Sequence, residues 1–289
     1  MNRFRTPNPF HALALLLCAA LVSCQALQDA AQVLIPEEKP TASVVGARLS
    51  DLSMDAVTLE LDVKVDNPYS VSLPLSALSY VLSSDDRTLL SGNAAPSEPI
   101  GASSSDVIPL SLKVPFQDLL ATLSGVRPGS VVDWAAAIEL TVDAPVIGAL
   151  TLPLEREGKL PIPAVPEVSL ESVRWDELSL TQARATLELG VLNTNTFPID
   201  LDELSFGVSL GGTKVADASA VPLDELASDQ TGSLQIPISF SPLSLGSAAL
   251  ALFKGEGAAY GLQGMLSIGT PFGPITTPFD GSGSVPFLR

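Results

Sequence analysis

The residue types that most often carry out chemistry are few in this chain and crowded at one end. Its 289 residues include one histidine, His11, and two cysteines, Cys18 and Cys24. Beyond Cys24 there is neither thiol nor imidazole, so the downstream chain can build no histidine-based triad, no Cys/His zinc site and no internal disulfide. Paired carboxylates are what remains. Asp85 and Asp86, Glu155 and Glu157, Asp176 and Glu177, Asp202 and Glu203, and Asp224 and Glu225 all fall in expected turns or at strand ends, where a solvated charge is the ordinary state. The turn from Asp280 to Ser284 carries a single carboxylate, without the spaced acids of a calcium-binding loop. Aromatics make up 5% of the chain, too few for a stacking platform, and Trp134 and Trp175 are expected in or near a core. No catalytic residue, metal or cofactor is expected, and the chain is not read as an enzyme.

The crowded end has a pattern of its own. Arg3 and Arg5 precede an apolar run from Ala12 to Val22, closed by Ser23 and Cys24. As a helix this run would span about 16 Å at ~1.5 Å per residue, well short of the ~30 Å membrane core, so it reads as a signal peptide over 1–23. Leu21, Val22, Ser23 and Cys24 resemble the lipobox of bacterial lipoproteins. The resemblance implies a diacylglyceryl group on the Cys24 thiol, and two acyl chains hold a protein on a membrane almost permanently. Gln25 rather than aspartate follows, which by the same resemblance favours the outer membrane, facing the periplasm, over inner-membrane retention. Residues 24–43 read as a lipidated tether, stiffened by Pro36 and Pro40.

The formal net charge is -17, and loss of Arg3 and Arg5 makes the remainder more acidic still. Such a chain repels polyphosphates, so nucleic acid is not an expected partner, and an anionic membrane would be reached only through the lipid.

Elements that could position a site emerge when the chain is laid on itself at a displacement of 126 residues. Residues 57–67 then fall on 183–193, with apolar residues at alternate positions in both. Val71, Leu73, Leu75, Leu78 and Tyr80 fall on Phe197, Ile199, Leu201, Leu204 and Phe206. Ile108, Leu110, Leu112 and Val114 fall on Leu234, Ile236, Ile238 and Phe240. Near the end, residues 153–158 match 278–283 at a displacement of 125, so one residue has been lost in a loop. Period two marks half-buried strands, and a repeat this long marks duplicated domains rather than a solenoid. Pro161, Pro163 and Pro166 lie between the copies and predict an extended, semi-rigid connector. The expected domains are 44–163 and 164–289, each large enough to bury a core without disulfides.

Turn signals at Ser83 to Asp86, Gly101 to Ser105, Gly211 and Gly212, and Ser228 to Gly232 separate the strands of an expected all-β sandwich. One helix per copy is also predicted. Phe116, Leu119, Leu120 and Leu123 lie between Pro115 and Gly125, and Leu245, Ala248, Ala249 and Leu252 between Pro242 and Gly255.

The alternating strand that ends in Asn67 and Pro68, followed by Tyr69, Val71 and the strand through Tyr80, resembles the late embryogenesis abundant type 2 family, whose domain is also called the water-stress and hypersensitive-response domain. The Asn-Pro pair is the family's signature. The second copy keeps Asn193 but has Thr194 in place of the proline. The resemblance implies two tandem fibronectin type III-like or immunoglobulin-like β-sandwiches, each of about seven strands and one helix, with a protective role in desiccation or other stress. An alternative is an envelope scaffold or adaptor that binds a protein partner through sandwich edges or the interdomain groove. Asn67, Pro68 and Asn193 are read as strand-ending structural residues, because asparagine turns the chain with its side chain and proline removes a ladder donor. The expected partners are thus the membrane, through Cys24, and either an envelope protein or stress-labile clients.

Overall fold

Alternation along the strands sets the burial. A computed structural model describes residues 38–94, 98–145, 147–220, 223–245 and 258–285. Strand β2 (Ala56–Asn67) turns Val57, Leu59, Leu61, Val63 and Val65 inward, none more than 1% exposed. Strand β9 (Ala183–Leu192) does the same with Ala183, Ala185, Leu187, Leu189 and Val191. Each such large aliphatic side chain contributes about 1.5–3 kcal/mol when fully buried.

The first copy adds β1 (Thr41–Ser50), β3 (Leu75–Ser84), β4 (Arg87–Ala94), β5 (Ser104–Pro115), β6 (Val131–Ala144) and β7 (Gly148–Pro161). Two antiparallel sheets, in orders β1-β2-β5 and β4-β3-β6-β7, enclose its core. The second copy adds β8 (Glu167–Leu178), β10 (Ile199–Leu210), β11 (Thr213–Ala220), β12 (Leu223–Leu226), β13 (Thr231–Phe240), β14 (Ala258–Gly269) and β15 (Ile275–Val285). Its sheets run β13-β9-β8 and β11-β10-β14-β15, with β12 also on β10, around a separate core. Among the described residues the first sandwich has the seven expected strands and the second has eight. The extra one, β12, grows from a single bridge: Leu73 pairs Ile100 in the first copy, and Ile199 pairs Leu226 in the second.

The irregularities repeat as faithfully as the strands. Val45 bulges from β1 where Glu171 bulges from β8, and Ser76 from β3 where Asp202 bulges from β10. Left-handed backbone at Asp85 and Asp86 is matched at Gly211 and Gly212, and that at Ser103 by Asp229. Because a bulge sets which residue faces inward beyond it, conserving bulges conserves register.

Helix α1 (Phe116–Thr122) follows Pro115 as predicted and buries Phe116 and Leu119. In the second copy Pro242–Leu245 forms a 3-10 turn, and the rest of the expected helix lies outside the described residues. Strand β1 begins at Thr41, so the end of the expected tether is already paired into the first sheet.

The connector is more than a spacer. Leu160 and Ile162 are 0% and 1% exposed and belong to the first core. The Ile162 N–H donates to the Ser130 carbonyl (2.8 Å), and the Ile162 carbonyl accepts from Gly129 (2.6 Å). On the other side, the Asn195 side chain accepts from the Ala164 N–H (2.8 Å) and donates to the Ala164 carbonyl (3.1 Å). The Gly129 carbonyl then takes both the N–H and the hydroxyl of Thr196. Leu52, from the β1–β2 turn, packs against both cores. The two sandwiches are therefore joined by hydrogen bonds and apolar contact as well as by the chain.

Candidate functional site

Asn67 and Asn193 stand where β2 and β9 end, 3% and 0% exposed. The Asn67 amide donates to the carbonyls of Val71 (2.9 Å), Ile100 (3.3 Å) and Gly101 (2.7 Å), while its oxygen accepts from the Tyr69 N–H (2.9 Å). The Asn193 amide donates to Phe197 (2.9 Å), Leu226 (3.0 Å) and Ala227 (3.2 Å), and its oxygen accepts from Asn195 (3.0 Å). Each carbonyl lies 126 positions from its counterpart. These amides clamp a loop crossing to a strand end, satisfying backbone groups that burial would otherwise orphan. Both hydrogen-bonding ends are committed internally, which leaves nothing to offer a ligand. Pro68 is half-buried beside this clamp. Thr194, at the corresponding place, instead donates its hydroxyl to the Val165 carbonyl at 3.4 Å, so the motif position lost in the second copy serves the connector. Cys24 lies outside the described residues.

The acidic pairs do not converge. Among the described residues no carboxylate is buried, and no group of three His, Cys, Asp or Glu side chains is placed to hold a metal ion. The Asp66 carboxyl is held below its ordinary value by hydrogen bonds from Lys64 and then Ser105.

A different place emerges where the copies diverge. Each sandwich has a seam where an edge strand of one sheet meets an edge strand of the other: β1 with β7, and β8 with β15. In the second sandwich, Tyr260 on β14 crosses this seam and its hydroxyl accepts from the Leu170 N–H on β8 at 3.2 Å. Gly281 on β15 closes the gap: a Cβ there would stand 2.8 Å from the Val168 carbonyl.

In the first sandwich the corresponding residues are Trp134 and Arg156. Trp134 is 4% exposed, and its buried indole N–H has no hydrogen-bond partner among the described residues. Indole nitrogen only donates, so it cannot reproduce the bond Tyr260 accepts. A buried donor left unpaired costs about 1–3 kcal/mol. The ring lies against Gly158, where a Cβ would approach within 2.6 Å. The Arg156 side chain is exposed and makes no hydrogen bond or ion pair among the described residues.

Here the seam is open, as a cleft of about 390 Å³ whose lining includes Leu49, Trp134, Arg156, Glu157 and Gly158, with Phe272 of the second sandwich. Its volume lies within the usual range for small-molecule sites, about 300–1,000 Å³. Two more cations line or border it, but they are neutralised: Arg48 pairs with Glu60 and Asp62, and Lys159 with Asp133. The sequence placed Trp134 in or near a core correctly and gave Arg156 no role. The signal was available in the duplication, since Arg156 falls on Gly281 at the 125 displacement.

Comparison with known proteins agrees with this repeated architecture. The model of a family described as late embryogenesis abundant protein matches twice, over residues 62–158 and 188–283. The chain is 30% identical over 131 residues to the desiccation-related protein PCC27-45 of Craterostigma plantagineum, covering 45% of this chain and 87% of that one. It is equally similar, with the same coverage, to the late embryogenesis abundant protein Lea14-A of Gossypium hirsutum. The solution structure of an Arabidopsis thaliana relative aligns at 26% identity over 54% of this chain and 88% of its own, with a TM-score of 0.38. With the family matched in both copies and each sandwich built on the same asparagine clamp, the chain belongs to the late embryogenesis abundant type 2 family, of which it carries two copies in tandem.

Proposed function

We propose that this protein is a lipid-anchored, non-enzymatic member of its family that protects neighbouring proteins or membranes of a bacterial envelope during desiccation or related stress. The observation that carries this reading is the double family match, together with relatives named for desiccation. The charge supports it: the chain carries -17, and its described carboxylates all keep solvent contact. An acidic surface of this kind keeps the protein soluble and repels other acidic surfaces as water is withdrawn. The lipid on Cys24 would hold them at the membrane, and Gln25 favours the outer membrane facing the periplasm.

The test is to dry and rehydrate lactate dehydrogenase with the chain from Thr41 to Arg289, against an unrelated folded β protein of matched acidity. Recovery above the control at equal mass supports protection. Recovery equal to the control refutes it and leaves the adaptor reading, with a partner at sandwich edges or the interdomain groove, to be pursued by crosslinking in cells. The anchor has a separate test: Cys24→Ala should abolish labelled palmitate incorporation and release the protein from the membrane fraction. Unchanged retention would refute lipidation at that residue.

A further inference from the structure

The joint between the sandwiches uses a turn that occurs twice. In the first copy the β1–β2 turn sends Leu52 against both cores and Met54 against the second. The Ser53 N–H donates to the Ala56 carbonyl (3.0 Å) and the Ser53 hydroxyl accepts from the Ala56 N–H (3.2 Å), which fixes the turn. The β8–β9 turn of the second copy is fixed in the same way: the Ser179 N–H donates to the Gln182 carbonyl (2.8 Å), and the Gln182 N–H donates to the Ser179 hydroxyl (3.0 Å). Leu178 and Leu180 stand 126 positions on from Leu52 and Met54. Met54 is half-buried, whereas Leu180 is 65% exposed. Leu243, 67% exposed, leaves the same sheet end, since Phe240 pairs Ala183 there and each leucine lies three positions beyond that pair. The first copy has the polar Gln117 at the place of Leu243.

The receiving side is repeated as well. Where the second sandwich meets the first, Phe197 and Phe272 pack edge-to-face at 5.4 Å, and Phe272 lines the cleft with Leu49 of the first sandwich. At the corresponding end of the first sandwich these positions hold Val71 and Ile147, 49% and 50% exposed. The Asp143 N–H donates to the Pro74 carbonyl (2.9 Å), so the β2–β3 loop carrying Val71 and the β6–β7 turn carrying Ile147 share that end. Four of the eight large apolar side chains exposed among the described residues therefore lie at the two ends that the internal joint leaves uncovered. Single exposed apolar residues need no explanation, but a matched set at both halves of a repeated joint does.

We infer that the free end of the second sandwich docks the first sandwich of another copy of this chain, with Leu180 and Leu243 meeting Val71 and Ile147. The contact continues the internal joint, and the occupant is a second copy because each copy carries both halves of it. The two surfaces differ, so the contact is head-to-tail and builds a row or a ring rather than a two-fold dimer. The acidic charge opposes approach at long range but is screened beyond about 8 Å at physiological salt. Inside the chain a short connector supplies an effective concentration in the millimolar range. Between copies that help is absent, so association belongs to high local concentration.

Sedimentation equilibrium of the chain from Gln25 to Arg289 tests this. That chain keeps every described residue and both cores, and it has no cysteine, so disulfides cannot imitate association. At physiological salt the average mass of the parent should rise above the monomer as concentration approaches about 1 mM. Leu180→Asp and Ile147→Asp each spoil one end and should each weaken self-association by about tenfold or more, as loss of one buried aliphatic contact predicts. Both side chains are at least half exposed, so neither change should move the urea midpoints. An equimolar mixture of the two variants should recover a dimer and nothing larger, because one intact end of each remains to pair. A parent that stays monomeric at about 1 mM would overturn the inference, leaving these ends to a different protein. So would Ile147→Asp associating by itself as well as the parent does, which would mean tail-to-tail contact, or a mixture that stays monomeric while the parent associates.

Discussion

Replacing Asn193 tests whether the amide clamp, rather than the strands it joins, holds the second sandwich closed. The side chain is 0% exposed and its Nδ2 lies 2.9–3.2 Å from three backbone carbonyls. Asn193→Ala removes both amide protons, leaving those carbonyls short of donors and the Asn195 N–H short of an acceptor. At about 1 kcal/mol for each hydrogen bond lost, with a further charge for buried groups left unpaired, the loss should be about 3–5 kcal/mol. With a urea slope of about 1–3 kcal/mol/M, the midpoint should fall by roughly 2 M. The tryptophans make the assay domain-specific, since Trp134 lies in the first sandwich and Trp175 in the second. In a Trp134→Phe background, Trp175 fluorescence should report the early transition, while Asn67→Ala read through Trp134 should destabilise the first sandwich comparably. Asn193→Asp sharpens the test. It places a carboxylate against three carbonyls, raising the folded-state pKa above the unfolded value, so this variant should be weakest at neutral pH and regain stability as pH falls. If Asn193→Ala unfolds within a few tenths of 1 M of the parent, the clamp is not what closes the loop.

Three further outcomes follow from single contacts. Tyr260→Phe removes the hydroxyl that accepts from Leu170 and should cost the second sandwich about 1 kcal/mol, measured by the same Trp175 transition. Gly129→Ala should loosen the joint between sandwiches, because a Cβ there would stand 2.6 Å from the Thr194 carbonyl at a backbone φ of +89°; small-angle scattering should show a larger radius of gyration with both sandwiches still folded. Asp66 is held below its ordinary carboxyl value of 3.8 by Lys64 and Ser105, so its contribution is present above that value and lost as pH falls through the folded-state value. Asp66→Asn should therefore differ from the parent at neutral pH and converge with it in strong acid, as followed by urea titrations at stepped pH.

Legibility followed the range of the interactions. Helix α1 was readable because Pro115, Leu119 and Gly125 are local signals, and Asn67 was recognisable as a strand-ender because an asparagine turn involves its near neighbours. The prolines of the connector were readable, but not its burial: Leu160 and Ile162 enter the first core, and the turn around Gly129 supplies hydrogen-bond partners from a distant stretch of chain. The eighth strand of the second sandwich was missed for a similar reason, since Leu223–Leu226 is only four residues long and becomes a strand by pairing with β10.

By itself the sequence determined the two copies, the long alternating strands and the face each of them buries. Apolar residues at every second position leave one way to remove that face from water, and a displacement held at 126 residues makes two sheets pair the same way twice. Only the tertiary structure decided what the differences between the copies do at the seam. Trp134 and Tyr260 are both inward aromatics on equivalent strands, and nothing local distinguishes them. What separates them is the strand across the gap: Tyr260 finds a backbone N–H on β8 to accept from, whereas the indole of Trp134 can only donate and is left unpaired among the described residues. Satisfaction of a buried polar group depends on its partner in space, and here that partner lies about ninety residues away in sequence.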